Sequence, residues 1–453
     1  MAFWNWGRKI VDQKSRVVIT GFGLVSPLGL DIDLFWQRLV QGESAIRPFV
    51  GLPLDALPVS CGGQCLEFTG AAEEYGPVDG VLKRNIRKNQ KVMAREIEMG
   101  VAAAQRAIFH SGIAGLTRDP DRYGVSFASD LILTRPEEFI DGVRGCYPDG
   151  PVTGPVDLKR WPNDGLPKVN PLWLLKYLPN MPASHVAIFN DFRGPNNSLT
   201  VREAGNNLVL GESMSVIRRG WSDCMVVGAT GSRIHPQRSV HTALQEELAT
   251  QRDNPAEMAR PFDRSRDGSV LGEGAGAVVL ERLDLAQQRG VKIWGEVVGT
   301  GSSMSGPVSE SNRVDRLRQG IINAVEAAVQ QAGSMLPKSF HIHAHGAGTQ
   351  AGDRAEQEAI LELSSRHNWG AVPVVAAKSY MGSLGAGSAA VEFVASLVSL
   401  DRGHLFEVLN FRDADLPGIR MAKKEDPSQD GFIHLSYSPQ GQVSAVIVKR
   451  FAP

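Results

Sequence analysis

The residue of this chain best placed for chemistry by type and spacing lies in 192–230, FRGPNNSLTVREAGNNLVLGESMSVIRRGWSDCMVVGAT. The pattern predicts a short strand at 198–201 and a sharp turn. A helix with apolar residues at Leu208, Leu210, Met214 and Ile217 follows, then a buried strand at 224–227. At such a strand-to-helix turn backbone N–H groups point outward and the helix dipole favours negative charge, which is where many enzymes place a nucleophile. Glu203 holds that position. Two glycine strings invite a nucleotide-loop reading and fail it. G-F-G at 21–23 lacks the third glycine and downstream acid of a dinucleotide site, and G-E-G-A-G at 272–276 precedes a strand at 277–280 instead of opening a helix. Cys61 and Cys65 have no second ligand pair nearby, so no metal site is expected. Lys83, Arg84, Arg87, Lys88 and Lys91 crowd the opening turns of a single helix predicted over 83–112. They read either as a solvated face or as a docking surface for an acidic partner.

The elements that must carry these residues follow from composition and period. A chain of 453 residues, 42% hydrophobic, can bury one large core or two ordinary ones. A net charge of −1 gives no global pull toward nucleic acid or an anionic membrane. Four cysteines are too few for a disulfide framework and point to a reducing, cytoplasmic setting, with no membrane-spanning run and no signal-peptide pattern. Phe3, Trp4 and Trp6 ahead of Arg8 and Lys9 suggest an extension packed on its own domain, with a membrane or partner contact as the alternative. Strands and helices alternate along the rest. The order strand, helices, strand, turn, helix occurs twice, once before and once after residue 290, which suggests an internal duplication.

The combined strings carry a family resemblance. The region 194–228 and PFDRSRDGSVLGEGAGAVVLE at 261–281 are similar to the β-ketoacyl synthases, the condensing enzymes of fatty-acid and polyketide synthesis. So are H-G-A-G-T at 345–349 and K-S-Y-M-G-S-L-G-A-G at 378–387. The resemblance implies an α/β fold, a thiolase-like five-layered αβαβα sandwich of two duplicated halves. It divides the chain into an extension (1–15), an N-terminal half (16–290) and a C-terminal half (291–453), with the helix after each elbow buried between the sheets. Residues 170–189 resemble the segment that such enzymes fold over the active site and use in dimer contacts.

Position by position, the resemblance places the family's cysteine at Glu203, its first histidine at His345, its lysine at Lys378 and its second histidine at Ser383. Glu392 is the expected partner of Lys378, while Thr349, Glu273 and Pro439 fall at substrate-binding positions, Pro439 near the gate phenylalanine. Ala347 replaces a hydroxyl residue of the histidine loop. A carboxylate is a poor acyl acceptor, since the product would be a mixed anhydride, and serine at 383 offers a shorter reach and no titratable proton. Losing one oxyanion donor typically costs about 10²–10³ in rate. Glu203 is expected to be held by the helix-start N–H groups, His345 and Lys378. It would repel a malonyl carboxylate about 4 Å away by about 4 kcal/mol at an effective dielectric near 20.

Two functions follow from the resemblance. One is a non-condensing partner subunit, similar to a chain-length factor, that shapes the acyl tunnel or binds acyl carrier protein. Its dimer would be with itself or with an active ketosynthase, and it would use no cofactor or metal. The other is an enzyme of altered chemistry, with Glu203 and His345 as an acid/base pair hydrolysing or decarboxylating an acyl thioester.

Overall fold

The computed structural model describes residues 16–147, 154–306 and 312–452. The aromatic N-terminal extension lies outside them. Among the described residues thirteen strands form in chain order: β1 (Val17–Val25), β2 (Ile46–Pro48), β3 (Cys61–Gly63), β4 (Tyr123–Ser129), β5 (Asn196–Leu199), β6 (Cys224–Ser232), β7 (Glu273–Arg282), β8 (Gly295–Met304), β9 (His341–His343), β10 (Pro373–Val375), β11 (Arg420–Met421), β12 (Gly431–Tyr437) and β13 (Gln442–Lys449). Apart from the β2/β3 pair they join in the order β11-β10-β9-β12-β13-β8-β1-β7-β6-β4-β5.

The joint between the two half-sheets is slight: β1 and β8 pair antiparallel over Val17–Ile19 alone. Outward from that joint the pairing reads the same both ways, first antiparallel (β1/β7 and β7/β6; β8/β13 and β13/β12), then parallel (β6/β4 and β4/β5; β12/β9 and β9/β10). This is the symmetry a duplicated unit produces.

The helices Gly205–Arg218 and Gly387–Arg402 touch each other and strands of both half-sheets, so they form the middle layer. Arg95–His110 covers β1, β6 and β7 on one outer face, and Arg313–Ala332 covers β8 and β13 on the other. Helix, sheet, helices, sheet, helix is the thiolase-like arrangement. Every residue from Gly387 to Leu400 is buried, as a helix enclosed on all sides requires. The G-E-G-A-G string has its explanation here: a Cβ on Gly387 would meet the Gly274 carbonyl oxygen at 2.0 Å, and one on Gly276 would meet Ala390 carbonyl carbon at 2.7 Å. These glycines let helix and strand backbones touch.

Two local expectations change. The helix expected over 83–112 is two, Gly80–Asn89 and Arg95–His110, separated by a 3-10 turn and extended Met93 and Ala94. No glycine or proline marks the break. Burial of Met93 and Ala94 beside Ile86 and Ile97 outweighs a weak local propensity. In Gly205–Arg218 the buried face is Val209, Leu210, Met214, Val216 and Ile217, with Leu208 only partly covered, and the strand before the elbow is Asn196–Leu199.

Candidate active site

The chain reaches the elbow through Arg202, whose φ of +56° is a left-handed conformation uncommon for a residue with a side chain. Glu203 and Ala204 follow in a 3-10 turn, and Gly205 opens the middle-layer helix. Glu203 is 1% exposed. Its carboxylate does not meet the helix-start N–H groups, His345 or Lys378, and this corrects the sequence expectation. It accepts from the Arg233 guanidinium, which projects from just beyond β6, and more weakly from Arg202 at 3.4 Å. Glu246 closes the group, accepting from Arg233 at 2.8 Å and from Arg202.

Two arginines and two carboxylates thus form a neutral buried cluster. Glu246 is driven down to about 2: its burial works the other way, and the two guanidiniums outweigh it. The repulsion expected against a malonyl carboxylate is offset by the same guanidiniums. Arg238 and Asp130 are also buried and pair at 3.5 Å, and the Asp130 charge acts on Arg233.

The histidine loop is braced from beneath. Glu356 accepts from the N–H groups of His345 (2.6 Å) and Gly346 (2.9 Å), and Asp353 accepts from Gly348 (3.0 Å) and Phe262 (2.7 Å). Burial lifts these carboxyls to about 8 and about 6. Those N–H groups are therefore committed within the fold. Burial, with Lys378 and Arg233 adding to it, holds the His345 imidazole neutral. Its ring lies 4.0 Å, centroid to centroid, from Tyr437.

Lys378 Nζ donates to Glu392 Oε1 (2.6 Å) and to the His345 carbonyl (2.7 Å), and lies 3.4 Å from His345 Nδ1. The expected Lys378–Glu392 pair is present. Glu392 is also 3.6 Å from His434 Nε2, and His434 Nδ1 meets the Asn207 Oδ1 at 3.0 Å.

A cavity of about 50 Å³ gathers Glu203, His345, Thr349, Ser383 and Pro439. Lys378 and Glu392 stand behind it. Glu273 does not belong to it, which corrects a second expectation. That carboxylate is bound by Arg95 at 2.7 Å and by the Cys65 N–H at 3.1 Å, on a separate cleft. Arg202, Arg233 and Glu246, which sequence reasoning missed, lie up to 44 residues apart along the chain, and nothing in a linear pattern joins them. Tyr437 was missed too, because the aromatic beside His345 sits two residues before the position the resemblance assigned to it.

Residues 14–286 match the family model for the β-ketoacyl synthase N-terminal domain and 294–412 that for its C-terminal domain. The chain is 30% identical over 412 residues to a mitochondrial 3-oxoacyl-(acyl-carrier-protein) synthase of Arabidopsis thaliana, covering 88% of this chain and 85% of that one. Among solved structures, a β-ketoacyl synthase from Burkholderia phymatum STM815 superposes with a TM-score of 0.80 at 24% identity, over 97% of this chain and all of that one. The ishigamide ketosynthase/chain length factor superposes at 0.74 and 22%, with the same coverage. With both domain models matched in order and the elbow, histidine loop and Lys378–Glu392 pair assembled as described, the chain belongs to the β-ketoacyl synthase family.

Proposed function

We propose that this chain is a non-condensing member of its family, a partner subunit that takes up no acyl group and acts through association with an active ketosynthase or a loaded acyl carrier protein. The observation that carries the reading is the state of Glu203. At the position the resemblance gives to the nucleophile stands a carboxylate that is 1% exposed and bound into a four-membered ion cluster. A carboxylate so held neither attacks a thioester to a stable product nor moves a proton freely, so the acid/base pairing of Glu203 with His345 loses its first member.

The surroundings agree. Ser383 supplies no imidazole, the loop N–H groups are committed to Glu356 and Asp353, and Glu203 itself is bound by Arg233. Arg84, Arg87, Lys88 and Lys91 remain exposed near the start of the N-terminal domain's outer helices, a surface suited to an acidic carrier.

The test is incubation with malonyl- and acyl-loaded carrier protein, followed by intact-mass and native mass spectrometry. The chain gains no acyl mass and releases no product, while a complex with the carrier or with an active ketosynthase is seen. Covalent acylation, or turnover abolished by Glu203→Gln or His345→Ala, refutes the reading.

A further inference from the structure

A second cavity, about 550 Å³, opens beside the first and shares none of its lining residues. The end of β6 divides them: Arg233 faces the elbow, while Ser232 and Ile234 face the larger cleft. Its other walls are the start of the Arg95–His110 helix, the 64–68 segment and the 133–135 and 176–177 turns.

The charges in this cleft are unequally satisfied. Arg95 is spent on Glu273 and on the carbonyls of Cys65 (2.9 Å) and Phe68 (3.2 Å), and Lys176 on Glu138. Glu96, only 7% exposed, and Glu98, partly buried, receive no side-chain donor among the described residues. His235 is 7% exposed with neither ring nitrogen hydrogen-bonded. A buried polar side chain left without partners is costly, and a ligand that supplies them recovers that cost.

We propose that this cleft binds a small amphiphilic organic cation, a primary ammonium on an apolar body. The three N–H donors of an ammonium match in kind the carboxyls of Glu96 and Glu98 and the free nitrogen of His235. Leu52, Leu66, Met93 and Ile234 give the body an apolar wall, and the volume lies within the range usual for small-molecule sites. Of the three cations that line the cleft, Arg95 and Lys176 are already paired, while Arg135 is exposed and faces the same two glutamates. Burial pushes Glu96 and Glu98 up to about 7. Glu96 faces Glu273, Arg135 and Asp130, and Glu98 faces Arg95, Lys176, Glu74 and Arg135. Burial also holds His235 down at about 4, so its ring is neutral and keeps an acceptor nitrogen.

The experiment is calorimetric titration of the full chain, in its purified oligomeric state, with hexylammonium chloride, hexanol and sodium hexanoate at matched ionic strength. Hexylammonium binds saturably at one site per chain, at least tenfold tighter than hexanol, and hexanoate does not bind. Glu96→Gln and Glu98→Gln each weaken hexylammonium at least fivefold without changing the unfolding profile. Glu98 is only partly buried, so its variant reports even if Glu96→Gln fails to fold. Hexanoate binding as tightly as hexylammonium, undiminished binding by the glutamine variants, or no saturable heat with hexylammonium overturns the proposal.

Discussion

Replacing Arg233 by methionine leaves Glu203 and Glu246 to share one guanidinium, that of Arg202, which is itself 3.4 Å from Glu203. The Arg233 and Glu203 side chains are 2% and 1% exposed, so water does not compensate. Stranding one member of a buried pair costs about 3–5 kcal/mol. With about 2.1 cal/mol/K of unfolding entropy per residue over 453 residues, roughly 1 kcal/mol/K in all, that corresponds to a fall in Tm of about 3–5 °C.

Removing both charges, Arg233→Met with Glu203→Met, leaves the Arg202–Glu246 pair neutral and complete. A well-packed apolar replacement of a buried pair is often neutral or stabilising. The double variant is therefore expected within about 1 °C of the parent. Glu203→Met alone falls between, because Arg233 keeps Glu246 at 2.8 Å. Urea and thermal melts of the four proteins form a double-mutant cycle. Additive effects, with the double variant at least as unstable as Arg233→Met, would refute the view that Glu203 is held by Arg233.

Three further outcomes are expected. Glu246 titrates near 2 in the fold against about 4.5 unfolded, so its contribution is full above pH 4.5 and lost as pH falls toward 2, about 3 kcal/mol in all. The stability gap between the parent and Glu246→Gln should thus be more than half closed by pH 3, and a gap unchanged from pH 6 to pH 3 contradicts the pairing. Lys378→Met strands Glu392, 1% exposed, and should cost about 3–5 kcal/mol, with much of the loss recovered by adding Glu392→Leu; urea melts decide this. Glu203→Cys restores a thiol but not room for a chain, since about 50 Å³ holds only about four waters. Intact mass after incubation with octanoyl-carrier protein should show no octanoyl adduct, and an adduct would mean the small cavity at position 203 opens to admit a chain.

The elbow, the histidine loop and the buried helices were legible because each is a local string: a strand period turning into a helical one, H-G-A-G-T before a helix, and a run at 389–398 that is apolar except for Glu392 and Ser396. Lys378 and Glu392 were reached through the resemblance, and their contact in the fold agrees with it. The break at Gln90–Ala94 was not legible, because no local breaker causes it and burial of Met93 does. The position of Glu273 was misjudged for a related reason: its string matches, but Arg95, 178 residues away, binds its side chain beside another cleft.

What the sequence determined alone is the alternation of elements, the doubled architecture and a carboxylate, not a thiol, at the elbow. Backbone periodicity and turn chemistry act over a few residues, and the chain writes them out in order. Which charges neutralise that carboxylate was decided only in three dimensions. Arg202 and Glu203 come from the elbow, Arg233 from the end of β6 and Glu246 from just past the next helix, so their meeting depends on how the layers pack. In a water-poor interior an ion is stable only with its partner in reach, and reach there is a property of tertiary structure.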